Sequence, residues 1–174
     1  ITGFDSWPSK QSDLSRSVFN WIDMHGYHDE SFGFSPGTRI EQTSSLENSG
    51  RYLRWLAAAR QHGKPFSVTE YGQPFWNSYR YEASVMAPAM AALQDWDFVC
   101  LHGEGAVDLS LKQSVSRKKA IHPYGVGVDP TTIAGETLAA ILLRRGDISP
   151  LSRRALIDFS GGGFAGDPVD IIED

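Results

Sequence analysis

The chain holds a single cysteine, Cys100, which excludes an internal disulfide framework. That scarcity leaves the compartment open, because many secreted enzymes also lack disulfides. There is no basic surplus: 16 Lys and Arg against 21 Asp and Glu leave a formal charge of −5. A face that binds phosphates needs an excess of Lys and Arg, so no nucleic-acid partner is expected. The one local basic cluster, Arg117, Lys118 and Lys119, reads as a solvated loop. No apolar run approaches the ~20 residues of a membrane helix, and no membrane partner is expected. The absence of G-x-G-x-x-G and of a P-loop counts against a nucleotide-binding sheet. Without G-x-S-x-G a nucleophilic-serine reading fails, and no zinc spacing of the H-E-x-x-H or paired Cys/His kind occurs. Nothing in the residues asks for a cofactor. There is no initiator methionine either; the chain opens on Ile-Thr-Gly, as if cut from something longer.

What is present suits a globular domain. The 174 residues suffice for one core, and 41% hydrophobic with 21% charged residues is an ordinary soluble balance. Short β-like runs alternate with helical patterns. "FNWIDMHGY" (19 to 27) is apolar and then abruptly polar, and a loop rich in Ser, Gly and Pro follows from Asp29 to about Ser45. "LENSGRYLRWLAAARQHG" places Leu46, Leu53, Leu56, Ala57 and Arg60 at helical spacing, which predicts a helix with Ser45 as N-cap and Gly63 as stop. "PFSVTE" (65 to 70) predicts a buried strand, and "YRYEASVMAPAMAALQDW" a helix capped by Asn77 or Ser78 and kinked at Pro88. "DFVCLHGEG" (97 to 105) predicts another strand, followed by a loop from about Ala106 to Val128. Asp129 and Pro130 form a cap-then-N1 pair opening a helix through Leu143, closed by Arg144, Arg145 and Gly146. At the front, "ITGFDSW" predicts a further strand ending at Asp5 and Trp7. Strands alternating with helices imply βαβ units and a parallel sheet, an α/β fold. The glycine-rich, acidic stretch 151–174 reads as a linker or the start of a further module, which leaves 1–150 as the domain.

The strand ends carry the residues with chemistry. Asp5 and Trp7, then Asp23, His25 and Tyr27, then Glu70, then His102 and Glu104 all fall at C-terminal tips, which form the active face of a barrel enzyme. Glu70 ends a run buried on both faces. It is either a structural partner of Arg80 or another cation, or a working carboxylate. Tyr71, Phe75, Trp76, Tyr79 and Tyr81 crowd behind it, and aromatic faces of this kind stack on sugar rings or simply pack a loop. Asp23, His25 and His28 are the residues of a metal alternative, without a complete ligand set that the sequence can show. His25 reads better as a hydrogen-bonding group for a hydroxyl or a carboxylate. Gly103 and Gly105 beside His102 and Glu104 either admit a ligand to the backbone or make a turn.

"IDMHGYHD", "GKPFSVTEYGQPFWNSYRYEA…ALQDWDFVCLH" and "DPTTIAGETLAAILLRRGDISP", in this order, resemble the C-terminal half of retaining glycoside hydrolases. The family is the large clan that contains cellulases, mannanases and β-galactosidases. The resemblance covers roughly residues 1 to 150 and implies a parallel (β/α)8 TIM barrel, of which this chain brings about the last four βα units. It implies Glu70 as the strand-seven nucleophile. Asp5, Trp7, Asp23, His25, Tyr27, Tyr71, Trp76, His102 and Glu104 would bind a poly- or oligosaccharide. By analogy the protein would be extracellular or periplasmic. The family's acid/base sits in an Asn-Glu pair on strand four, and this chain has no Asn-Glu dipeptide. The second carboxylate would therefore come from outside it, from the other half of the barrel, and the open edges of an isolated half would favour that partner or a second copy of the chain. A non-catalytic carbohydrate-binding barrel is the reading from a different class.

Overall fold

The computed structural model describes residues 15–29, 39–103, 124, 127, 129–158 and 169–173. The elements are β1 (Ile22–Tyr27), α1 (Arg51–Ala58), β2 (Phe66–Gly72), a 3-10 turn (Arg80–Glu82) running into α2 (Ala83–Leu93), β3 (Phe98–Leu101), α3 (Pro130–Arg145), β4 (Arg154–Asp158) and β5 (Val169–Glu173). The chain is a mixed α/β structure. β1, β2 and β3 form a parallel sheet in sequence order, and β4 pairs antiparallel with β5. That ribbon occupies part of 151–174 and is tied back to the main body, where the Leu151 amide donates to the Leu93 carbonyl at 3.0 Å. The strand expected around Asp5 and Trp7, the basic cluster at 117–119 and nearly all of the 106–128 loop lie outside the described residues. Among those described, no helix is long and apolar enough to cross a membrane.

The pleat sorts the sheet into two faces. Ile22, Met24, Phe66 and Val68 point to one side, where they meet Tyr52, Leu53 and Leu56 of α1 and Ala83, Ala87 and Ala91 of α2. Both crossover helices therefore lie on the same side of the sheet. Gly26 allows α1 to come close, since a Cβ there would stand 3.0 Å from three atoms of Leu56. The alanines of α2 fall four apart, so a smooth ridge of methyl groups meets the strands, with Pro88 buried beside it.

Helix boundaries follow local chemistry. α1 starts five residues after Leu46 rather than at Ser45, because Ser49 and Gly50 both take left-handed backbone (φ 56° and 62°) and break the turn. Asn48 Oδ1 accepts the Arg51 amide at 3.1 Å, while the Ser45 hydroxyl donates to Glu82 Oε2 at 2.7 Å. α3 matches its sequence signal: Asp129 caps, Pro130 is first, Arg144 and Arg145 stand in the last turn, and Gly146 ends it at φ 68°.

Arg80 and Asp129 join the segment after β2 to this cap. Arg80 Nε and Nη2 donate to Asp129 Oδ2 and Oδ1 at 2.5 and 2.9 Å, and Thr132 Oγ1 donates to Oδ2 at 2.6 Å. The Arg80 hydrogen bonds outweigh the cost of burial, and with Thr132 they lower the Asp129 pKa from 3.8 to about 2. A folded-state pKa below the unfolded one means stability that is present above pH ~4 and lost as pH falls toward the folded value. Asp129→Asn is expected to lower the unfolding free energy by about 2–4 kcal/mol at pH 7, with the gap to the parent narrowing by about 2 kcal/mol near pH 2. Urea titrations at the two pH values read both effects.

Candidate functional site

The register of β2 places the central residue of the site. Asp23 pairs with Ser67 and Met24 with Val68, but His25 then pairs with Glu70. The other neighbour shows the same step, Val68 opposite Val99 and then Tyr71 opposite Leu101. Thr69 is thus one residue too many on β2, a β-bulge seen from both sides. Strict alternation would send Glu70 to the helix side with Val68. The extra residue returns it to the face that carries Asp23, His25 and Tyr27.

On that face Glu70 is 31% exposed and sits among three side chains. The Tyr27 hydroxyl donates to Oε2 at 2.5 Å, and His25 Nδ1 approaches the same oxygen at 3.2 Å. His102, just past β3, brings Nδ1 to 3.7 Å from Oε1. The rings of Tyr27, His102 and Tyr124 meet edge-on, with centroids 5.2 to 5.9 Å apart. One carboxylate is therefore framed by an aromatic hydroxyl and two imidazoles from the two flanking strands.

A second carboxylate stands lower on the same face. Asp23 Oδ2 accepts the Thr69 hydroxyl at 2.5 Å, and Oδ1 accepts both the Thr69 amide at 3.2 Å and the Ser67 hydroxyl. Trp21 Nε1 donates to Ser67 Oγ at 3.1 Å, and His25 Nε2 lies 3.0 Å from Thr69 Oγ1. Because the Thr69 hydrogen is directed at Asp23, its oxygen accepts from His25 Nε2–H. On the other side of the ring Nδ1 faces Glu70 Oε2, so the imidazole stands between the Thr69 hydroxyl and the Glu70 carboxylate. The network runs without a break from Trp21 to Glu70.

Of the residues singled out in the sequence, Asp23, His25, Tyr27, Glu70 and His102 come together at one end of the sheet. Tyr71 is corrected: it is only 2% exposed and sits in the core on the helix side, where burial raises its hydroxyl pKa. The bulge that turns Glu70 toward His25 turns Tyr71 away. Trp76 is exposed on the loop after β2, its carbonyl accepting from Gln42 Nε2 at 2.6 Å and its ring against Phe75. Asp5, Trp7 and Glu104 lie outside the described residues. Arg80 belongs to Asp129, not to Glu70. Ser67 and Thr69 were missed by sequence reasoning, although two hydroxyls alternating with apolar residues in "FSVTE" were the available signal.

The metal alternative at Asp23, His25 and His28 is not assembled. His28 is buried elsewhere, its Nε2–H donating to the Thr43 carbonyl at 3.1 Å and its ring lying beside Tyr52. Among the described residues no three His, Cys, Asp or Glu side chains gather as a metal cage. Two other acids, Asp29 and the buried Glu82, instead fasten the loops. Asp29 accepts the Glu41 and Gln42 amides and Asn77 Nδ2 at 2.6 to 2.9 Å. Glu82 accepts Ser44 Oγ, Ser45 N and Ser45 Oγ at 2.6 to 2.8 Å. Burial alone would raise the pKa of Glu82, but the donors from Ser44 and Ser45 prevail and lower it.

No family model, no curated protein and no solved structure matches this chain.

His28→Ala is expected to cost about 1–3 kcal/mol, as for any lost buried hydrogen-bonding group. Dialysis against EDTA should leave the melting temperature of both forms unchanged. A drop on chelation in the parent alone would reinstate a metal at His28.

Proposed function

We propose that this chain supplies the nucleophile of a retaining glycoside hydrolase and that Glu70 is that nucleophile. The observation that carries the reading is the setting of Glu70 at the C-terminal end of the middle strand of a parallel sheet, with Tyr27 and His25 on Oε2 and His102 toward Oε1. Strands in sequence order with both crossover helices on one side are also what a (β/α)8 barrel requires, whereas a doubly wound sheet reverses order and places helices on both faces. Parallel sheets are normally covered on both faces, and here Trp21 and Phe98 stay 39% and 51% exposed on the face away from the helices. That fits a barrel wall completed by strands from outside the described residues, from the other half of the barrel or from a second copy.

In this reading Oε1 attacks the anomeric carbon while Tyr27 and His25 hold Oε2. A second carboxyl group about 5–5.5 Å away protonates the leaving oxygen and later activates water. Asp23, the other carboxylate on β1 to β3, is committed to Ser67 and Thr69, so the acid comes from elsewhere. The substrate is a poly- or oligosaccharide, with Trp76 available as a stacking surface.

A panel of 2-deoxy-2-fluoroglycosides tests this in the whole protein that carries the chain. Covalent label on Glu70 and loss of turnover in Glu70→Gln are expected; full turnover in that variant ends the assignment, and reversible binding without label favours a non-catalytic carbohydrate-binding barrel. Tyr27→Phe removes one hydrogen bond to a charged oxygen, about 1.5–3 kcal/mol, and should slow labelling about tenfold to a hundredfold.

A further inference from the structure

The geometry points to Asp23 as a positioning residue, a carboxylate that holds the β-bulge at Thr69 and through it aims Glu70. Asp23 is only 8% exposed, and among the described residues the one ion-pairing side chain near it is the His25 ring, Nε2 of which is 3.7 Å from Oδ2. Its remaining described partners are on β2: the Ser67 hydroxyl, the Thr69 amide and the Thr69 hydroxyl. Two of these three belong to the residue that has no opposite number on either neighbouring strand.

An extra residue in a parallel ladder leaves backbone groups without their regular partners, and a bulge persists where something else satisfies them. Asp23 does this from the adjacent strand, one oxygen on the Thr69 N–H and the other on its hydroxyl. The Ser67 hydroxyl, held in turn by Trp21 Nε1, donates to the same oxygen as the Thr69 amide and so helps fix the carboxylate. Without Asp23 the ladder can regularise, and a slip of one residue carries Glu70 to the helix side, because side-chain direction alternates along a strand. Thr69 also presents its oxygen to His25 Nε2, so the same carboxylate sets the ring whose Nδ1 meets Glu70. One group thereby governs both the direction of Glu70 and the orientation of its imidazole partner.

This inference rests on the nucleophile reading for its effect on chemistry, but the bulge itself is open to a separate measurement. In the whole protein, Asp23→Ala is expected to speed amide hydrogen exchange at residues 69 to 71 more than about tenfold, with protection in α1 and α2 kept. Labelling of Glu70 by the 2-fluoroglycoside, counted per folded molecule, should slow about a hundredfold, the scale of a misplaced reacting group. Asp23→Asn keeps one acceptor oxygen for the Thr69 amide and should recover most of the protection and part of the rate. Thr69→Val keeps the amide bond but loses the hydroxyl, and should slow labelling with protection retained. Should Asp23→Ala prove too unstable to study, the Asn and Val variants carry the same comparison. Unchanged exchange at 69 to 71 in Asp23→Ala, or parental labelling in both Asp23→Asn and Thr69→Val, overturns the role. If the parent protein is never labelled, the glycosidase reading fails, and the exchange data still decide whether Asp23 holds the bulge.

Discussion

The pleat of a β-strand permits a side chain only two directions, and one supernumerary residue in β2 decides which of them Glu70 takes. Thr69 is accommodated because Asp23, on the next strand, answers both its amide and its hydroxyl. A carboxylate that would otherwise face leucines and alanines instead meets a tyrosine and two histidines. The chemistry of the sheet's open face depends on that displacement.

The opposite face contributes by being rigid. Leu53 and Leu56 from α1 and the alanine ridge of α2 seal Ile22, Met24, Phe66 and Val68, so the strands have little freedom to shift beneath the polar network. Hydrogen bonds at the sheet's base hold the register where β3 enters. The Phe66 amide donates to Asp97 Oδ2 at 2.8 Å, and the Asp97 amide donates back to the Phe66 carbonyl at 2.9 Å. At the far end, Asp29, Glu82 and Asp129 each gather several donors and anchor the connecting segments to one another. Among the described residues, Asp29, Glu82, Asp97 and Asp129 thus serve as internal fasteners.

Much of this was legible where the signal is local. The alternation of strands and helices, the Asp129-Pro130 start of α3 and its Gly146 stop depend on neighbours in sequence, and they were read from sequence. So were Asp23, His25 and Tyr27, whose spacing of two puts them on one face. Partners far apart in the chain were not legible. Ser45 has the look of a helix cap, but its hydroxyl is taken by Glu82, 37 residues away. Tyr71 looked like a neighbour of Glu70 in function because it is one in sequence. A bulge reverses parity without leaving a trace in composition, so neither the burial of Tyr71 nor the part played by Thr69 was predictable from spacing.

The two crossover helices carry opposite vulnerabilities. α1 meets the sheet through large side chains, so what harms it is loss of volume, a hole left where Leu53 or Leu56 had been. α2 meets the sheet through methyl groups and α3 through Ser84, against which a Cβ on Gly135 would stand 2.5 Å from the serine Cβ. Gain of volume is the danger there. Drift in this chain is accordingly constrained from two sides: one helix has no room to shed atoms, and the other has none to acquire them.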